Sequence, residues 1–392
     1  MDLAILGLPL SGKTTTFNAI TGQGIQTGGY GGDEPHIGVL KVPDPRLAIL
    51  ETIDNPTRVI PAEMKCSDYP GSAFSDTSAS GSRGLARFID QLALSDALVY
   101  VVRSFVDEKV PMPADGVDAE RDIETLNLEL TVADIGLIER RLERIASEMK
   151  ALKASERTAT ERHAALLKKM QEHLEMGEPL RTLQRSDDEL RELTGYRFVT
   201  DRPLLVLVNI NENDVEDTAA IESEYSLKFG TASTEVAAFA ATIEEEMAQL
   251  APDEATIFRA DLGLPPESSK DRAIRSAYSL LGMHSFLTTG KDEVRAWPIP
   301  IGTTASQAAG KIHSDLERGF IRAEVTSFSD YHAAEGSSAT LRQNGRTRTE
   351  GKDYVVSDGD ILSILFNVCP EYQACYNSLH HEYRNFPRAA RG

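Results

Sequence analysis

The sequence is poor in cysteine, in long apolar runs and in positive charge. Its three cysteines, Cys66, Cys369 and Cys375, are too few for a disulfide framework and have no metal-ligand spacing, which predicts a protein of the reducing cytoplasm. No segment approaches the ~20 apolar residues that cross a bilayer, so no membrane partner is expected. A strand-like run follows Met1 at once, where a cleaved signal would have a basic and then an apolar stretch, so none is predicted.

The shortage of positive charge argues against one class of partner, a coated nucleic acid. Lys and Arg number 41 against 61 Asp and Glu, a formal net charge of −20. Coating of a nucleic acid depends on neutralising its phosphates, so we expect no DNA partner. A local basic face stays open as an interpretation, and a role of the charge in solubility explains the balance equally well.

Short apolar runs alternate with helical stretches in the first third of the chain. With 392 residues, of which 41% are hydrophobic, the sequence has room for two or three packed domains. Strands are predicted at residues 3–6, 37–42, 64–67, 97–102 and 203–209, and a helix at residues 13–21. This alternation predicts an α/β fold with a mostly parallel sheet and helices on both faces.

Two other regions differ in pattern. Residues 119–199 have helical periodicity and predict an antiparallel hairpin of two long helices, inserted into a nucleotide domain made of residues 1–118 and 200–277. Residues 278–369 predict a small α+β domain, with a strand at 293–299 and a helix at 306–318 that contains His313. The tail, residues 370–392, fits either a surface strap or a disordered segment.

The first predicted strand is followed by a phosphate-binding pattern, Gly-x-x-x-x-Gly-Lys-Thr, which starts at Gly7. Its glycines allow a tight turn with converging N–H groups, and the helix that follows directs its positive dipole end at the phosphates. The pattern assigns Lys13 to the phosphates as the catalytic cation and the Thr14 hydroxyl to Mg²⁺. The predicted nucleotide-binding residues of this loop are Leu10, Ser11, Gly12, Lys13, Thr14 and Thr15.

An Asp-x-x-Gly segment follows the predicted strand at residues 64–67. An Asp at a strand end, here Asp68, can hold Mg²⁺ together with Thr14, and the N–H of Gly71 can sense the γ-phosphate. An Asp-x-x-Gly tetrapeptide is common by itself. Its position after a phosphate loop favours a role in nucleotide binding. Asp68 and Gly71 are therefore the predicted switch residues.

The predicted strand at 203–209 leads into Asn209-Ile210-Asn211-Glu212. Ligands bind at the carboxyl ends of strands in open α/β sheets. Guanine-specific proteins have Asn-Lys-x-Asp here, whereas this chain replaces the Lys with Ile210 and the Asp with Glu212. Because adenine has no paired N–H donors at that edge, we predict that Asn209, Ile210 and Glu212 contact ATP, or that base selectivity is low and GTP also binds. A plain polar turn is the alternative.

These motifs resemble those of the YchF family, the Obg-like ATPases of the phosphate-loop GTPase class. The resemblance covers nearly the whole chain and extends to the runs that start at Val42, Arg121, Arg295, Gln307, Gly319, Glu350 and Asp358. It implies that the C-terminal domain is a ubiquitin-like β-grasp of the TGS type. It also implies slow ATP hydrolysis with Mg²⁺, association with the ribosome or ribosomal RNA, and a role in translation or stress regulation.

Three departures from the family pattern keep two functions open. Gly32 stands where the family has a Mg²⁺-ligating Thr, Ser72 is too short to position water as a Gln does, and residues 75–83 are rich in Ser. The first function is a slow, switch-like ATPase, which we expect to be a monomer. The second is a nucleotide-dependent binding module with negligible hydrolysis.

The predicted hairpin carries basic residues that suit contacts with ribosomal RNA phosphates. They are Arg140, Arg141, Arg144, Lys150, Lys153, Arg157, Arg162, Lys168 and Lys169. Glutamates interleave with them, so a solvated surface of ion pairs is an equal interpretation.

Overall fold

The computed structural model describes residues 1–27, 34–74, 82–150, 154–265 and 267–367, and all that follows concerns these residues. The strands are β1 (Asp2–Leu6), β2 (His36–Lys41), β3 (Arg58–Ile60), β4 (Glu63–Asp68), β5 (Ala97–Ser104), β6 (Leu204–Ile210), β7 (Thr234–Phe239), β8 (Met283–Thr288), β9 (Glu293–Pro300), β10 (Phe320–Ser327), β11 (Arg348–Glu350) and β12 (Asp360–Phe366). The α-helices are α1 (Lys13–Thr21), α2 (Pro45–Asp54), α3 (Ser82–Ala86), α4 (Ile89–Leu94), α5 (Ala119–Glu148), α6 (Ala154–Glu175), α7 (Asp187–Glu192), α8 (Thr218–Phe229), α9 (Ala241–Ala248), α10 (Pro252–Asp261), α11 (Ser269–Leu280), α12 (Ala305–Ile312), α13 (Ser314–Arg318), α14 (Phe328–Ala333) and α15 (Ser338–Gln343).

The chain divides into two compact units. The first is Met1–Leu40 with Met64–Leu280, and the second is Lys41–Glu63 with the residues from Leu281 onward. The predicted nucleotide domain includes residues 41–63, whereas the structure assigns this segment to the second unit. The reason is strand pairing, because β3 runs parallel to β9 and places Arg58 beside Glu293.

A six-stranded sheet in the order β2-β4-β1-β5-β6-β7 forms the centre of the first unit. Five neighbouring strands of this sheet, β4, β1, β5, β6 and β7, run parallel to one another. Every residue of β6 is buried, and so are the first seven of β5, as expected of strands covered on both faces. The predicted parallel α/β fold is confirmed, and the strand ends differ from the predicted ones by one or two residues.

Helix α5 belongs to two cores. It begins after Asp118, whose side chain accepts a hydrogen bond from the Arg121 N–H at 3.0 Å and so caps the helix. Its first half packs Ile123, Leu126 and Leu130 on the sheet, among the buried residues of β5 and β6. Its second half packs on α6 in a separate core that includes Ile138, Leu167 and Met170. The two long helices of the predicted hairpin are present, and the first one also serves the nucleotide domain.

The second unit contains a mixed sheet in the order β11-β10-β12-β8-β9-β3. Its core includes Phe286, Ile299, Val325 and Leu362, with the short helix α12 packed against it through alanines. This is the α+β domain that the sequence predicts.

The predicted helix at residues 306–318 is wrong at its centre, because α12 ends at Ile312 and α13 starts at Ser314. His313 between them is extended, with φ −162°, and its Nδ1 accepts a hydrogen bond from the Asp315 N–H at 3.2 Å. A Cβ on Gly310 would lie 2.4 Å from Glu317 Oε2, so the break folds α13 closely against α12.

Several predictions fall on residues outside the described ones. They concern Gly32, residues 75–81, Lys153, Cys369, Cys375 and the tail from residue 370.

Candidate nucleotide site

The phosphate loop joins the buried end of β1 to the start of α1. Leu10 and Gly12 have φ values of 66° and 83°, a left-handed backbone that Gly accepts freely and Leu rarely adopts. Helix α1 starts at Lys13 with no acidic residue in its first turn and no side-chain cap. The first N–H groups and the dipole of α1 therefore suit an anion, the role predicted for them from the sequence. The Ser11 hydroxyl is buried here, and within the described residues it has no hydrogen-bond partner.

Close packing explains both glycines of the loop. A Cβ on Gly7 would lie 2.6 Å from the Val101 carbonyl oxygen of β5, and a Cβ on Gly12 would lie 2.2 Å from Asn209 Nδ2. The loop therefore lies directly on the carboxyl ends of β5 and β6. No residue with a side chain fits at either position without moving the backbone or Asn209.

Asp68 at the end of β4 contacts two residues of the loop, the predicted catalytic residue Lys13 and the predicted Mg²⁺ ligand Thr14. Its Oδ1 accepts a hydrogen bond from Lys13 Nζ at 2.6 Å, and its Oδ2 accepts one from Thr14 Oγ1 at 3.0 Å. Lys13 is 8% exposed and Asp68 2% exposed, so this is a buried ion pair. His36 Nδ1 of β2 lies 3.5 Å from Asp68 Oδ2, a neighbour that the sequence analysis did not foresee.

Thr14 and Asp68 fit a magnesium ion. A hydroxyl and a carboxylate are the hard oxygen donors that Mg²⁺ takes, together with phosphate oxygens and water. Their oxygens lie 3.0 Å apart, so one cation could contact both. Among the described residues no group of three or more His, Cys, Asp and Glu side chains could hold a metal.

The second switch residue also contacts the loop. A Cβ on Gly71 would lie 3.3 Å from the backbone N and Cα of Pro9, so the Gly71 backbone runs against the phosphate loop. Tyr69 anchors the segment by stacking edge-on against Phe88, with 5.4 Å between ring centroids, and burial raises its pKa to about 12. The structure thus brings the loop, Asp68 and Gly71 together. Ser72 is exposed in the short 3₁₀ helix Gly71–Phe74.

Asn209 ties the loop to two other segments. Its Nδ2 donates to the Ser11 carbonyl oxygen at 3.0 Å, and its Oδ1 accepts from the Ala241 N–H at 3.1 Å. Both ends of the amide are used within the protein, and the side chain is 4% exposed. Its geometric role is to hold the phosphate loop against the start of α9.

The other two predicted base contacts differ in exposure. Ile210 is 4% exposed and lies in the core of the first unit, whereas Glu212 is exposed at the start of the 3₁₀ helix Glu212–Asp217. Between them, Asn211 Nδ2 donates to the Val106 carbonyl oxygen at 3.1 Å. The structure therefore brings the Glu212 segment next to the chain that leaves β5, and the Ile210 side chain points away into the core.

The sequence patterns did not indicate two residues that lie near the loop, Phe105 and Arg103. Phe105 places its ring 3.6 Å from the position of a Cβ on Gly12. Arg103 lies over that ring, with 4.6 Å from Cζ to the centroid, and burial lowers the pKa of its guanidinium. The available signal was an Arg that continues an otherwise apolar strand at its carboxyl end.

Basic side chains on the described part of the hairpin form ion pairs. Arg141 lies 3.6 Å from Glu148, Arg162 lies 3.5 Å from Glu192, and Lys169 lies 2.8 Å from Glu189. These contacts agree with the ion-pair interpretation for those three residues and leave the RNA interpretation to experiment. None of the helices in the described ranges is long and apolar enough to cross a membrane.

The parallel sheet, the loop between β1 and α1, and the Lys13–Asp68–Thr14 contact define a P-loop nucleotide-binding protein of the G-domain type, followed by an α+β domain. The family model YchF-GTPase_C, described as "Protein of unknown function (DUF933)", matches residues 283–367. The chain belongs to the YchF family.

Relatives along the whole chain show this membership. The Ribosome-binding ATPase YchF of Bacillus subtilis (strain 168) is 36% identical over 373 residues, which cover 94% of this chain and 100% of the relative. The protein of the same name from Escherichia coli O157:H7 is 37% identical over 369 residues, 93% of this chain and 98% of the relative. The solved structure of the Schizosaccharomyces pombe YchF GTPase matches with a TM-score of 0.76 and 26% identity, over 93% of this chain and 97% of that one.

Proposed function

We propose that this protein is a Mg²⁺-dependent P-loop ATPase with slow turnover, which acts as a ribosome-associated switch in translation or stress response. The observation that carries the proposal is the buried contact of Asp68 with both Lys13 and Thr14 at the N-terminus of α1. The names of the relatives support the ATPase and ribosome parts. We also propose a cytoplasmic monomer.

The residues of the chain divide the work as follows. The N–H groups of the loop and the dipole of α1 bind the phosphates, and Lys13 supplies a positive charge that stabilises the transferred group. Thr14 and Asp68 would hold Mg²⁺, which when bound neutralises charge on the phosphate oxygens. Gly71, in contact with the loop at Pro9, would report the presence of the γ-phosphate to the segment that follows.

Slow turnover follows from the residue after Gly71, which is Ser72. Phosphoryl transfer to water depends on a group that orients the water, and the Ser72 hydroxyl is too short for that task. ATP is favoured over GTP because Glu212 replaces the shorter Asp that binds the guanine edge, and GTP remains the second nucleotide.

The test of the ATPase is Lys13→Ala, with Lys65→Ala as the matched control. Lys65 lies on the same sheet, but its Nζ pairs with Asp2 at 2.9 Å and is 47% exposed. We expect Lys13→Ala to abolish Mg-ATP hydrolysis and Lys65→Ala to leave it unchanged. Wild-type turnover of many per second would contradict the slow-switch proposal. A wild-type protein that binds ATP without hydrolysis would favour a nucleotide-dependent binding module instead.

The ribosome part is tested by co-sedimentation with ribosomes. Reversing the charge of Arg140, Arg144 and Lys168 should weaken co-sedimentation if the hairpin contacts RNA phosphates. Unchanged co-sedimentation would remove the RNA contact and leave the basic residues as part of a solvated surface.

A further inference from the structure

Arg103, near the carboxyl end of β5, is one of the largest fully buried side chains among the described residues, at 2% exposure. Its guanidinium donates to three backbone carbonyl oxygens: Phe105 at 3.1 Å, Pro111 at 2.9 Å and Val110 at 3.4 Å. Within the described residues no Asp or Glu oxygen lies at ion-pair distance from the guanidinium, and the charges of Asp107 and Asp122 act on it from farther away. A buried guanidinium without an ion pair is costly, because its charge is removed from water.

The three carbonyls belong to one segment, residues 105–111, which leaves β5 and returns over its end. Phe105 at the start of the segment packs against Gly12 of the phosphate loop. Val106, the next residue, accepts the hydrogen bond from Asn211 in the segment that leads to Glu212. The first two residues of the segment thus touch the phosphate loop and the predicted base-binding segment, and Arg103 holds both ends of the segment.

We propose that Arg103 is a positioning residue for nucleotide binding. Its hydrogen bonds hold segment 105–111 in place where that segment borders the nucleoside side of the site. The inference rests on the proposed function. A guanidinium suits this task because its planar fork donates in several fixed directions while its face stacks on Phe105. An ammonium keeps the charge and loses both the fork and the flat face.

The test compares two ligands on Arg103→Lys. Mg-ATP contacts the phosphate loop and the nucleoside side, whereas inorganic tripolyphosphate contacts the phosphate loop alone. We expect the Kd for ATP to rise about tenfold, which corresponds to the loss of one hydrogen bond to a charged group. The Kd for tripolyphosphate should stay within about twofold of the wild-type value. Amide hydrogen exchange should accelerate in residues 105–111 of the variant and not in α1.

Arg181→Lys is the matched control. Arg181 is another buried guanidinium of the first unit, and it donates to the Thr200 carbonyl oxygen at 3.2 Å and to Asn127 Oδ1 at 2.8 Å, at the base of the hairpin. This variant should lower the unfolding midpoint and leave both Kd values unchanged. If Arg103→Lys does not fold, Pro111→Gly loosens the same segment from its exposed far end and should give the same selective loss of ATP.

The outcomes separate the two claims. Equal losses for ATP and tripolyphosphate, or no loss for ATP in a folded variant, would overturn the positioning role while the ATPase proposal stands. A wild-type protein that binds neither ligand would overturn the proposed function, and the role of Arg103 with it.

Discussion

Gly12→Ala tests how the phosphate loop is held. Gly12 has φ 83°, and a Cβ there would lie 2.2 Å from Asn209 Nδ2, far inside van der Waals contact. Asn209 cannot yield freely, because its amide is fixed by the Ser11 carbonyl at 3.0 Å and the Ala241 N–H at 3.1 Å. The added methyl therefore breaks at least one of these hydrogen bonds or shifts the loop.

The size of the effect follows from these contacts. Holding an Ala in the left-handed region costs about 1–2 kcal/mol. Losing one or both hydrogen bonds of Asn209 costs about 1 kcal/mol for each, so the free energy of unfolding should fall by about 2–4 kcal/mol in total. ATP affinity should fall as well, because the converging N–H groups of the loop lose their alignment.

Urea unfolding measures the free energy of unfolding of Gly12→Ala and of the control Gly22→Ala, and a titration measures their ATP affinity. Gly22 follows the last residue of the same helix and has φ 70°, and a Cβ there meets no atom of the described residues within 4 Å. The control should lose about 1–2 kcal/mol from backbone strain alone and bind ATP normally. A Gly12→Ala protein as stable as Gly22→Ala, with unchanged ATP affinity, would refute the role assigned to Asn209.

Two further predictions concern the hairpin. Asp134 accepts hydrogen bonds from the Val199 N–H at 3.1 Å and the Thr200 N–H at 2.8 Å. Asp134→Asn should therefore lower the free energy of unfolding, measured in urea, by about 2–3 kcal/mol. The control Asp188→Asn, at a side chain that is 92% exposed, should change nothing measurable. Burial lowers the pKa of His163 below its ordinary 6.5, although Glu192 at 3.8 Å opposes this, so the unfolded chain takes up a proton that the folded chain does not. Stability should therefore fall as pH drops from 6.5 towards the lowered pKa, and His163→Gln should reduce that slope; an equal slope in both proteins would contradict it.

The phosphate loop could be predicted because its signal is local. Strand, glycine turn and helix follow one another within twenty residues or so, and helix α1 spans Lys13–Thr21 as the pattern indicates. The meeting of Asp68 with Lys13 also follows from the pattern, since parallel strands place their carboxyl ends at one edge of the sheet.

Other features depend on contacts between distant parts of the chain. The sequence marks no partner for β3. Its pairing with β9, together with contacts such as Arg46 to Asp358, assigns residues 41–63 to the second unit. Asn209 reads as a base contact, and the structure shows both ends of its amide engaged by Ser11 and Ala241. Arg103 gave little signal, because its partners are backbone carbonyls, which no residue type reveals.

A binding titration of ATP, GTP and their diphosphates with Mg²⁺, on the wild type and on Lys13→Ala, tests the central claim most directly. We expect ATP to bind the wild type more tightly than GTP does, and Lys13→Ala to lose affinity for both. A preference for GTP of about tenfold, or roughly 1.4 kcal/mol, would contradict the assignment of Glu212 and with it the ATPase.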